Sequence, residues 1–209
     1  MARLSRRNFL AAGGAMIASL PAAASAPLPA VTPPAVPPAT ESDNELVMRA
    51  RAALERHQDA IVHRDVIGIA DFNVPSRLPR FSIVDLASGR TEQLLVAHGR
   101  GSDPSHSGWL QSFSNVPGSN ATSSGAYLTG QAYSGIHGAS RRLAGLDPQN
   151  SNAEARAIVI HSAWYANPNV VQEQGKLGRS EGCFAFSQAD IAQVLERLGP
   201  GRLIYADKV

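Results

Sequence analysis

The chain has 209 residues, with 19 basic and 17 acidic side chains, 44% hydrophobic residues and one cysteine. This length is typical of one folded domain, and we find no internal repeat and no apolar run long enough to span a bilayer. The slight excess of positive charge lies at the N-terminus, and no basic run is interleaved with aromatic residues. Nucleic-acid binding is therefore not expected.

The first 24 residues have the three-part form of an export signal. Three arginines precede the apolar residues 9–20, and residues 22–24 offer an Ala-x-Ala cleavage pattern. The pair Arg6-Arg7 lies in a string that resembles a twin-arginine signal, although an ordinary secretory signal can also contain Arg-Arg. We predict cleavage before Ser25 and an exported protein, periplasmic or in the cell envelope. Its mature form then has 16 basic and 17 acidic residues and no transmembrane segment.

Residues 25–41 are rich in proline and alanine and predict an extended linker. The folded domain is then expected at residues 42–209. It begins with a helix of roughly 20 residues, because apolar side chains recur at helical spacing. These side chains are Leu46, Ala50, Ala53, Leu54 and Ile61.

Short β-type runs follow this helix. They lie at residues 66–71, 80–86, 93–97, 125–129, 157–161 and 202–206, with a hairpin joining the second and third and a loop predicted at 98–125. A second helix is predicted around residues 191–198, where apolar side chains again recur at helical spacing. The sum is a mainly β domain, a β-rich α+β fold with a helix near each end.

Cys183 is the only cysteine, so it has no partner for an intramolecular disulfide in a chain that resembles an exported protein. A cysteine of this kind is a candidate nucleophile, which needs a base to remove the thiol proton. His161, 22 residues earlier at the end of a β-type run, is the candidate base. Spacing alone leaves open an inert buried cysteine and a core histidine.

Two motifs carry a resemblance to a known family. Residues 160–163, Ile-His-Ser-Ala, precede residues 178–183, Gly-Arg-Ser-Glu-Gly-Cys. Together they resemble the active-site signature of the L,D-transpeptidases, the YkuD-type cysteine enzymes of peptidoglycan, in a divergent subgroup with a Gly-Arg-Ser-x-Gly-Cys motif. The resemblance covers about residues 65–206 and implies an L,D-transpeptidase-like β-sandwich.

The resemblance also implies roles for individual residues. Cys183 would be the nucleophile and His161 the base, while the main-chain carbonyl of Ser162 would orient the imidazole. The N–H groups of Gly182 and Cys183 would stabilise the oxyanion. No cofactor is implied.

This chain departs from the family pattern at two positions. Glu181 stands where the family usually has a histidine, and a carboxylate beside the sulfur disfavours the thiolate unless a cation such as Arg179 neutralises it. Two residues after the cysteine, Ala185 stands where the family often has a polar or basic residue. The contacts to substrate at that point are therefore open.

Further residues are candidates for contact with the substrate. They are Ser180, Arg179, Tyr127 and His137. His137 lies in a His-Gly pair, another histidine motif besides His161-Ser162, and is otherwise expected to be structural. Zinc is not expected despite six histidines, because no His-x-x-x-His or Cys-x-x-Cys spacing is present.

The resemblance implies an exported L,D-transpeptidase that acts on peptidoglycan stem tetrapeptides. Cys183 would attack the carbonyl of the third stem residue, release the terminal D-alanine and pass the acyl group to an amine on another stem. An L,D-carboxypeptidase of the same fold, which uses water as acceptor, stays open, as does a catalytically weak wall-binding protein. The sequence leaves the acceptor and the oligomeric state open.

Overall fold

The computed structural model describes residues 41–209, with side chains from Glu45 onward. The predicted signal peptide and residues 25–40 of the predicted linker lie outside the described residues. The described strands are β1 Val66–Asp71, β2 Phe81–Asp85, β3 Thr91–Leu94, β4 Gly125–Gly135, β5 Gly138–Gly145, β6 Val159–Ser162, β7 Phe184–Phe186 and β8 Leu203–Asp207. The α-helices are α1 Glu41–Arg56, α2 Pro168–Gln174 and α3 Ile191–Arg197.

The eight strands form one sheet in the order β3-β2-β1-β8-β4-β5-β6-β7. Neighbours are antiparallel except for the pairs β1–β8 and β6–β7, which are parallel. β1 lies inside the sheet and all six of its residues are buried, because both of its faces are covered. This explains why its sequence is a continuous apolar run without alternation.

The sheet bends until its two ends meet. Beyond β3, the N–H of Ala97 donates to the carbonyl of Ala185 on β7 at 2.9 Å. The rings of Phe81 on β2 and Phe186 on β7 meet edge to face, with centroids 4.8 Å apart. The two layers expected of a sandwich are therefore parts of one continuous sheet that encloses a common core.

Helix α1 covers the outer face of the sheet. Leu46, Ala50 and Leu54 are buried, and they pack in one cluster with Ile67 of β1 and Leu203 of β8. Their spacing is the apolar stripe that the sequence predicts, although the helix has 16 residues rather than about 20. A stripe of this kind stabilises a helix through packing rather than through intrinsic propensity.

Strands β4 and β5 form a long hairpin that the sequence analysis missed beyond residue 129. The pairing shifts register between Thr129 and Ala132 and then continues to Gly135 and Gly138 at the turn. Ile136 at the tip is 96% exposed. The outer half therefore gains its order mainly from strand pairing, and its sequence lacks the alternating apolar pattern that marks a half-buried strand.

The prediction of a mainly β fold with a helix near each end is confirmed. Helix α2 was not predicted; it is short, and the 3-10 turn Trp164–Ala166 separates it from β6. None of the helices among residues 41–209 is both long and apolar enough to cross a membrane.

Candidate functional site

His161 lies on β6 and is only 2% exposed. Its Nδ1 lies 2.9 Å from the main-chain oxygen of Ser162. A carbonyl oxygen only accepts hydrogen bonds, so Nδ1 must carry the proton and donate it. In the neutral ring, Nε2 therefore holds a free lone pair, which is the form that a general base requires.

Burial lowers the pKa of His161 below its ordinary value. The hydrogen bond to Ser162 opposes this effect, whereas the neighbouring His137 lowers the pKa further. Because the shift is downward, the imidazole is neutral at neutral pH. Its basic nitrogen is then available without a prior loss of a proton.

Cys183 lies on the same face of the sheet as His161. Ile160 of β6 pairs with Phe184 of β7 in a parallel register. One residue earlier on each of these two segments, Val159 lies beside Cys183. Side chains alternate between faces along a strand, so Cys183 shares its face with Val159 and His161. The two residues predicted to act together are therefore diagonal neighbours on one surface.

The thiol of Cys183 is partly exposed, and it donates a weak hydrogen bond from Sγ to the carbonyl of Ala157 at 3.6 Å. Burial raises the pKa of this thiol above its ordinary value. The N–H of Val159 and the charge of Arg156 oppose the rise, while the negative charge of Glu181 adds to it. The thiol is therefore protonated at neutral pH.

The loop before Cys183 turns sharply at Gly182, which has a φ of +119°. A Cβ at this position would lie 2.7 Å from the carbonyl oxygen of Ala121, so only glycine fits. Ser180 then ties the turn together. Its Oγ donates to the carbonyl of Cys183 at 2.7 Å and accepts the N–H of Gly182 at 3.1 Å.

These bonds change two expectations. Ser180 is 3% exposed and its hydroxyl is engaged within the loop, so this hydroxyl supports the loop rather than facing a substrate. The N–H of Gly182 already has an acceptor and can bind an oxyanion only after releasing Ser180. The N–H of Cys183 has no acceptor among residues 41–209. Cys183 is therefore the readier of the two expected oxyanion donors.

The segment that follows β3, residues 95–103, packs against this loop and holds it through hydrogen bonds. The N–H of Ser180 donates to the carbonyl of His98 at 2.9 Å. Thr122 accepts the N–H of Gly99 at 2.9 Å, and its hydroxyl also lies 3.3 Å from the carbonyl of Gly182, to which it donates. The loop is thus held by a layer of main-chain and hydroxyl hydrogen bonds.

Beneath that layer lies a buried group of three charged or titratable side chains: Arg80, His98 and Asp103. Nη2 of Arg80 lies 2.6 Å from Nδ1 of His98, and Nε2 of His98 lies 3.6 Å from Oδ2 of Asp103. A guanidinium only donates, so Nδ1 of His98 accepts and Nε2 carries the proton. Asp103 also accepts the N–H groups of Ser107 and Gly108, both at 2.8 Å.

Burial, followed by the charge of Arg80, lowers the pKa of His98 to about 3, although Asp103 opposes the shift. Burial lowers the pKa of Arg80 to about 9, so this guanidinium keeps its charge at neutral pH. His98 is therefore a neutral spacer between a buried cation and a buried anion.

His137, at the tip of the β4–β5 hairpin, stacks on the candidate base. The ring centroids of His137 and His161 are 4.3 Å apart and the planes differ by 25°. Ser162 Oγ also donates to the main-chain oxygen of His137 at 3.2 Å. The His-Gly pair at residues 137–138 therefore lies at the site.

The cation that pairs with Glu181 is Arg100, with Nη2 2.9 Å from Oε1. The expected partner Arg179 instead donates from Nη1 to the carbonyls of Asp103 and Pro104. The expectation that Arg179 neutralises Glu181 is therefore wrong. Arg100 was missed because it comes from a loop about 80 residues away in the sequence.

Tyr127 does not line the site. Its side chain is fully buried, its hydroxyl donates to the carbonyl of Ser123 at 2.8 Å, and its ring meets Phe184 edge to face in the core. The structure therefore gives Tyr127 no exposed group for the predicted contact with the substrate. Burial raises the pKa of this phenol, which stays protonated.

Three supporting residues are not among the predicted site residues: His98, Gly99 and Thr122. They lie in or beside a stretch rich in Gly, Ser and Asn that carries no periodic signal. The one local sign is a histidine directly after a β-type run, much as His161 comes at the end of one.

Within residues 41–209, no three His, Cys, Asp or Glu side chains are placed to hold a metal ion.

Comparison with known proteins adds a family match. Residues 39–206 match the family model described as the L,D-transpeptidase catalytic domain. The search of curated proteins gave no match.

Solved structures similar to this chain include an L,D-transpeptidase from Mycobacterium tuberculosis H37Rv, with 15% identity, a TM-score of 0.45 and coverage of 69% of this chain and 58% of that one. An L,D-transpeptidase from Mycobacterium smegmatis has 15% identity, a TM-score of 0.42 and coverage of 68% and 58%. The helical cell shape determining protein Pgp2 from Campylobacter jejuni has 13% identity, a TM-score of 0.45 and coverage of 77% and 55%. This chain thus spans less than two thirds of each of these solved chains.

Proposed function

The chain belongs to the L,D-transpeptidase catalytic-domain family, and on that premise we propose that it is an exported cysteine acyltransferase of peptidoglycan. Its donor is a stem tetrapeptide, its nucleophile is Cys183 and its base is His161. The family match supports the reaction class. The residue roles are supported by the geometry described above.

The resting pair is neutral. Burial raises the pKa of the Cys183 thiol and lowers the pKa of the His161 imidazole, so neither group is charged at neutral pH. The thiol proton therefore moves to Nε2 of His161 as the sulfur attacks, in general-base catalysis rather than from a preformed ion pair.

In the first half-reaction, Sγ of Cys183 bonds to the carbonyl carbon of the third stem residue. The carbonyl oxygen becomes an oxyanion, which the free N–H of Cys183 stabilises. When the carbonyl re-forms, the bond to the terminal D-alanine breaks. His161 returns its proton to the leaving amine, and a thioester on Cys183 remains.

In the second half-reaction, an amine of a neighbouring stem attacks the thioester carbonyl. His161 takes a proton from that amine, the carbon–sulfur bond breaks, and the thiolate regains the proton. The net result is one amide bond broken and one formed. Water in place of the amine would give a carboxypeptidase.

The observation that carries this proposal is the orientation of His161. The Ser162 carbonyl fixes the proton on Nδ1, and the sheet register brings His161 and Cys183 to one face. This tautomer leaves Nε2 free to accept a proton on the face that carries Cys183, as a general base requires.

The test is incubation of the purified protein with disaccharide-tetrapeptides, followed by mass spectrometry of the products and of the intact protein. We expect a thioester on Cys183, loss of D-alanine, and cross-linked dimers of stems. Tripeptides without dimers would assign the carboxypeptidase reaction. No covalent adduct and no product would favour the wall-binding alternative and overturn the proposal.

We also propose that the mature protein begins near Ser25 and acts outside the cytoplasmic membrane. The twin-arginine string and the Ala-x-Ala pattern support this location. N-terminal sequencing of the protein from the exported fraction would check it. An intact Met1 in a soluble cytoplasmic pool would contradict it.

A further inference from the structure

A pocket of about 260 Å³ lies on the flank of the loop that carries Cys183. It is bounded by the loop itself, by the segment after β3, and by the residues that follow β6. Its lining includes Arg100, His106, Trp164, Tyr165, Gly178 and Arg179, and none of its lining residues is Asp or Glu. The proposed reaction does not yet assign it a role.

The pocket is close to the nucleophile. Tyr165 packs directly on the loop, because a Cβ at Gly178 would lie 2.5 Å from Cβ of Tyr165, and the N–H of Gly178 donates to the carbonyl of Tyr165 at 2.8 Å. Burial raises the pKa of Tyr165 to about 12, and the charges of Cys183 and Glu181 add to the rise. Tyr165 is therefore in direct contact with the loop that carries Cys183.

Two guanidinium groups supply positive charge in this pocket. Arg179 uses Nη1 for the carbonyls of Asp103 and Pro104, which fixes the group in place. Its Nε and Nη2 have no acceptor among the described residues. Nη2 of Arg100 is engaged by Glu181. A planar guanidinium held at one edge, with N–H groups left over, is suited to a carboxylate.

We propose that this pocket binds the C-terminal carboxylate of the donor peptide, with Arg179 as the principal contact. This assignment rests on the proposed function, in which the leaving residue carries a free carboxylate one residue from the attacked carbonyl. A cation that binds this carboxylate must then lie about the length of one residue away from the sulfur. The position two residues after the cysteine does not supply it, because Ala185 is fully buried.

The walls and the size of the pocket agree with a small terminal residue. Its volume is below the range of pockets that hold drug-sized ligands. Trp164 is 66% exposed and, with Tyr165, provides an apolar wall for a methyl group. Arg179 therefore selects donors with a single residue after the cleaved bond, such as the tetrapeptide, and rejects donors with a further residue.

The test compares a synthetic donor tetrapeptide with the same tetrapeptide carrying a C-terminal carboxamide. Single-turnover acylation of Cys183 is followed by intact-protein mass spectrometry over a range of peptide concentrations. We expect the wild-type protein to acylate with the acid at least about tenfold more efficiently than with the amide. Loss of a charge-assisted hydrogen bond has an effect of about this size.

Arg179→Gln should lower the efficiency with the acid by about tenfold or more and leave that with the amide nearly unchanged, mainly through the concentration that gives half-maximal rate. Arg179→Lys, which keeps the charge and loses the planar group, should fall between the two. Arg51→Gln, an exposed arginine of α1, is the matched control and should behave as wild type.

Iodoacetamide alkylation of Cys183 reports the thiol without using the pocket. Arg179→Gln should keep this rate within about twofold of wild type. A larger change would mean that the substitution disturbs the loop, and the carboxylate assignment would then be judged from the ratio of acid to amide acylation in the wild-type protein. Equal acylation by acid and amide in the wild type would overturn this assignment alone. Alkylation by iodoacetamide without acylation by either peptide would overturn the proposed function, and the assignment with it.

Discussion

Two buried histidines, His161 and His98, make a useful comparison because their surroundings look alike in outline. His161 lies on β6 and His98 lies four residues after the end of β3, each is at most 2% exposed, and burial lowers the pKa of both. In each ring, one nitrogen is fixed by a partner that can play only one role in a hydrogen bond.

The difference lies in what the other nitrogen faces. Nδ1 of His161 donates to a carbonyl, so Nε2 is left as a lone pair on the face that carries Cys183. Nδ1 of His98 accepts from Arg80, so its Nε2 carries a proton and points to Asp103. Burial alone therefore does not make a base. The partner that selects the tautomer decides whether a buried histidine is reactive or structural.

The largest effect should come from the reactive pair. Cys183→Ala should abolish acylation, and His161→Ala should slow it by about a thousandfold or more, because in the proposed mechanism the nucleophile and its base act as a unit. Intact-protein mass spectrometry after exposure to a tetrapeptide or a carbapenem measures this directly. An adduct that still forms on Cys183→Ala would show that the nucleophile is misassigned.

The structural histidine should show the opposite profile. His98→Ala should destabilise the domain by about 3 kcal/mol, because the buried guanidinium of Arg80 loses the imidazole as an acceptor and a cavity is left in its place. Urea unfolding measures the free energy, with the exposed His63→Ala as the control. Folded His98→Ala protein should keep alkylation of Cys183. Loss of alkylation in a fully folded variant would contradict the comparison.

This second effect should also depend on pH. The folded pKa of His98, about 3, lies below its ordinary value of 6.5, so the unfolded chain binds more protons between these values. Stability should therefore be complete above pH 6.5 and fall as the pH drops toward 3, by up to about 1.4 kcal/mol per pH unit from this residue. The slope should be smaller in His98→Ala, and an unchanged slope would exclude His98 as its source.

A moderate effect is expected from the stacked ring over the base. His137→Phe keeps an aromatic face on His161 but removes a group that repels its protonated form, so the pKa of His161 should rise. The acid limb of the acylation profile should then move to higher pH, with an effect on rate of a few fold. His137→Ala should give the same shift plus a lower plateau. Identical plateaus in the two variants would mean that stacking does not hold the base.

The smallest effect should come from Glu181. Its charge raises the pKa of the Cys183 thiol, but the carboxylate is exposed and paired with Arg100. Glu181→Gln should therefore lower the thiol pKa by less than about one unit. The pH dependence of iodoacetamide alkylation measures it. An inactive Glu181→Gln protein would instead give this residue a direct part in catalysis.

The sequence predicts well what local pattern controls. The strands around His161 and the apolar stripe of α1 follow from short-range alternation and helical spacing, and the mainly β fold follows from their sum. The tautomer of His161 follows from the residue beside it. These features depend on contacts between near neighbours in the chain.

What the sequence does not predict depends on distant pairs. The sequence makes Tyr127 a candidate for contact with the substrate. In the structure its side chain instead points into the hydrophobic core, and this direction depends on packing against residues far away in the sequence. Arg100 meets Glu181 only because the segment after β3 returns to the far edge. His98 and Thr122 lie in a stretch whose composition indicates a loop, and only the folded chain shows that this stretch supports the loop that carries Cys183.

The seam at which the two ends of the sheet meet has a consequence for the order of folding. Ala97 and Ala185 are 88 residues apart in the chain, and their hydrogen bond forms beside Cys183. Contacts between such distant segments carry a large loop-closure cost and slow the approach to the native state. Before this contact forms, the seam beside Cys183 is open, so we expect a nascent chain not to acylate with a donor peptide, although its exposed thiol, with an ordinary pKa, is more readily ionised than in the folded protein. The appearance of acylation by a donor peptide during refolding then reports when this last long-range contact forms.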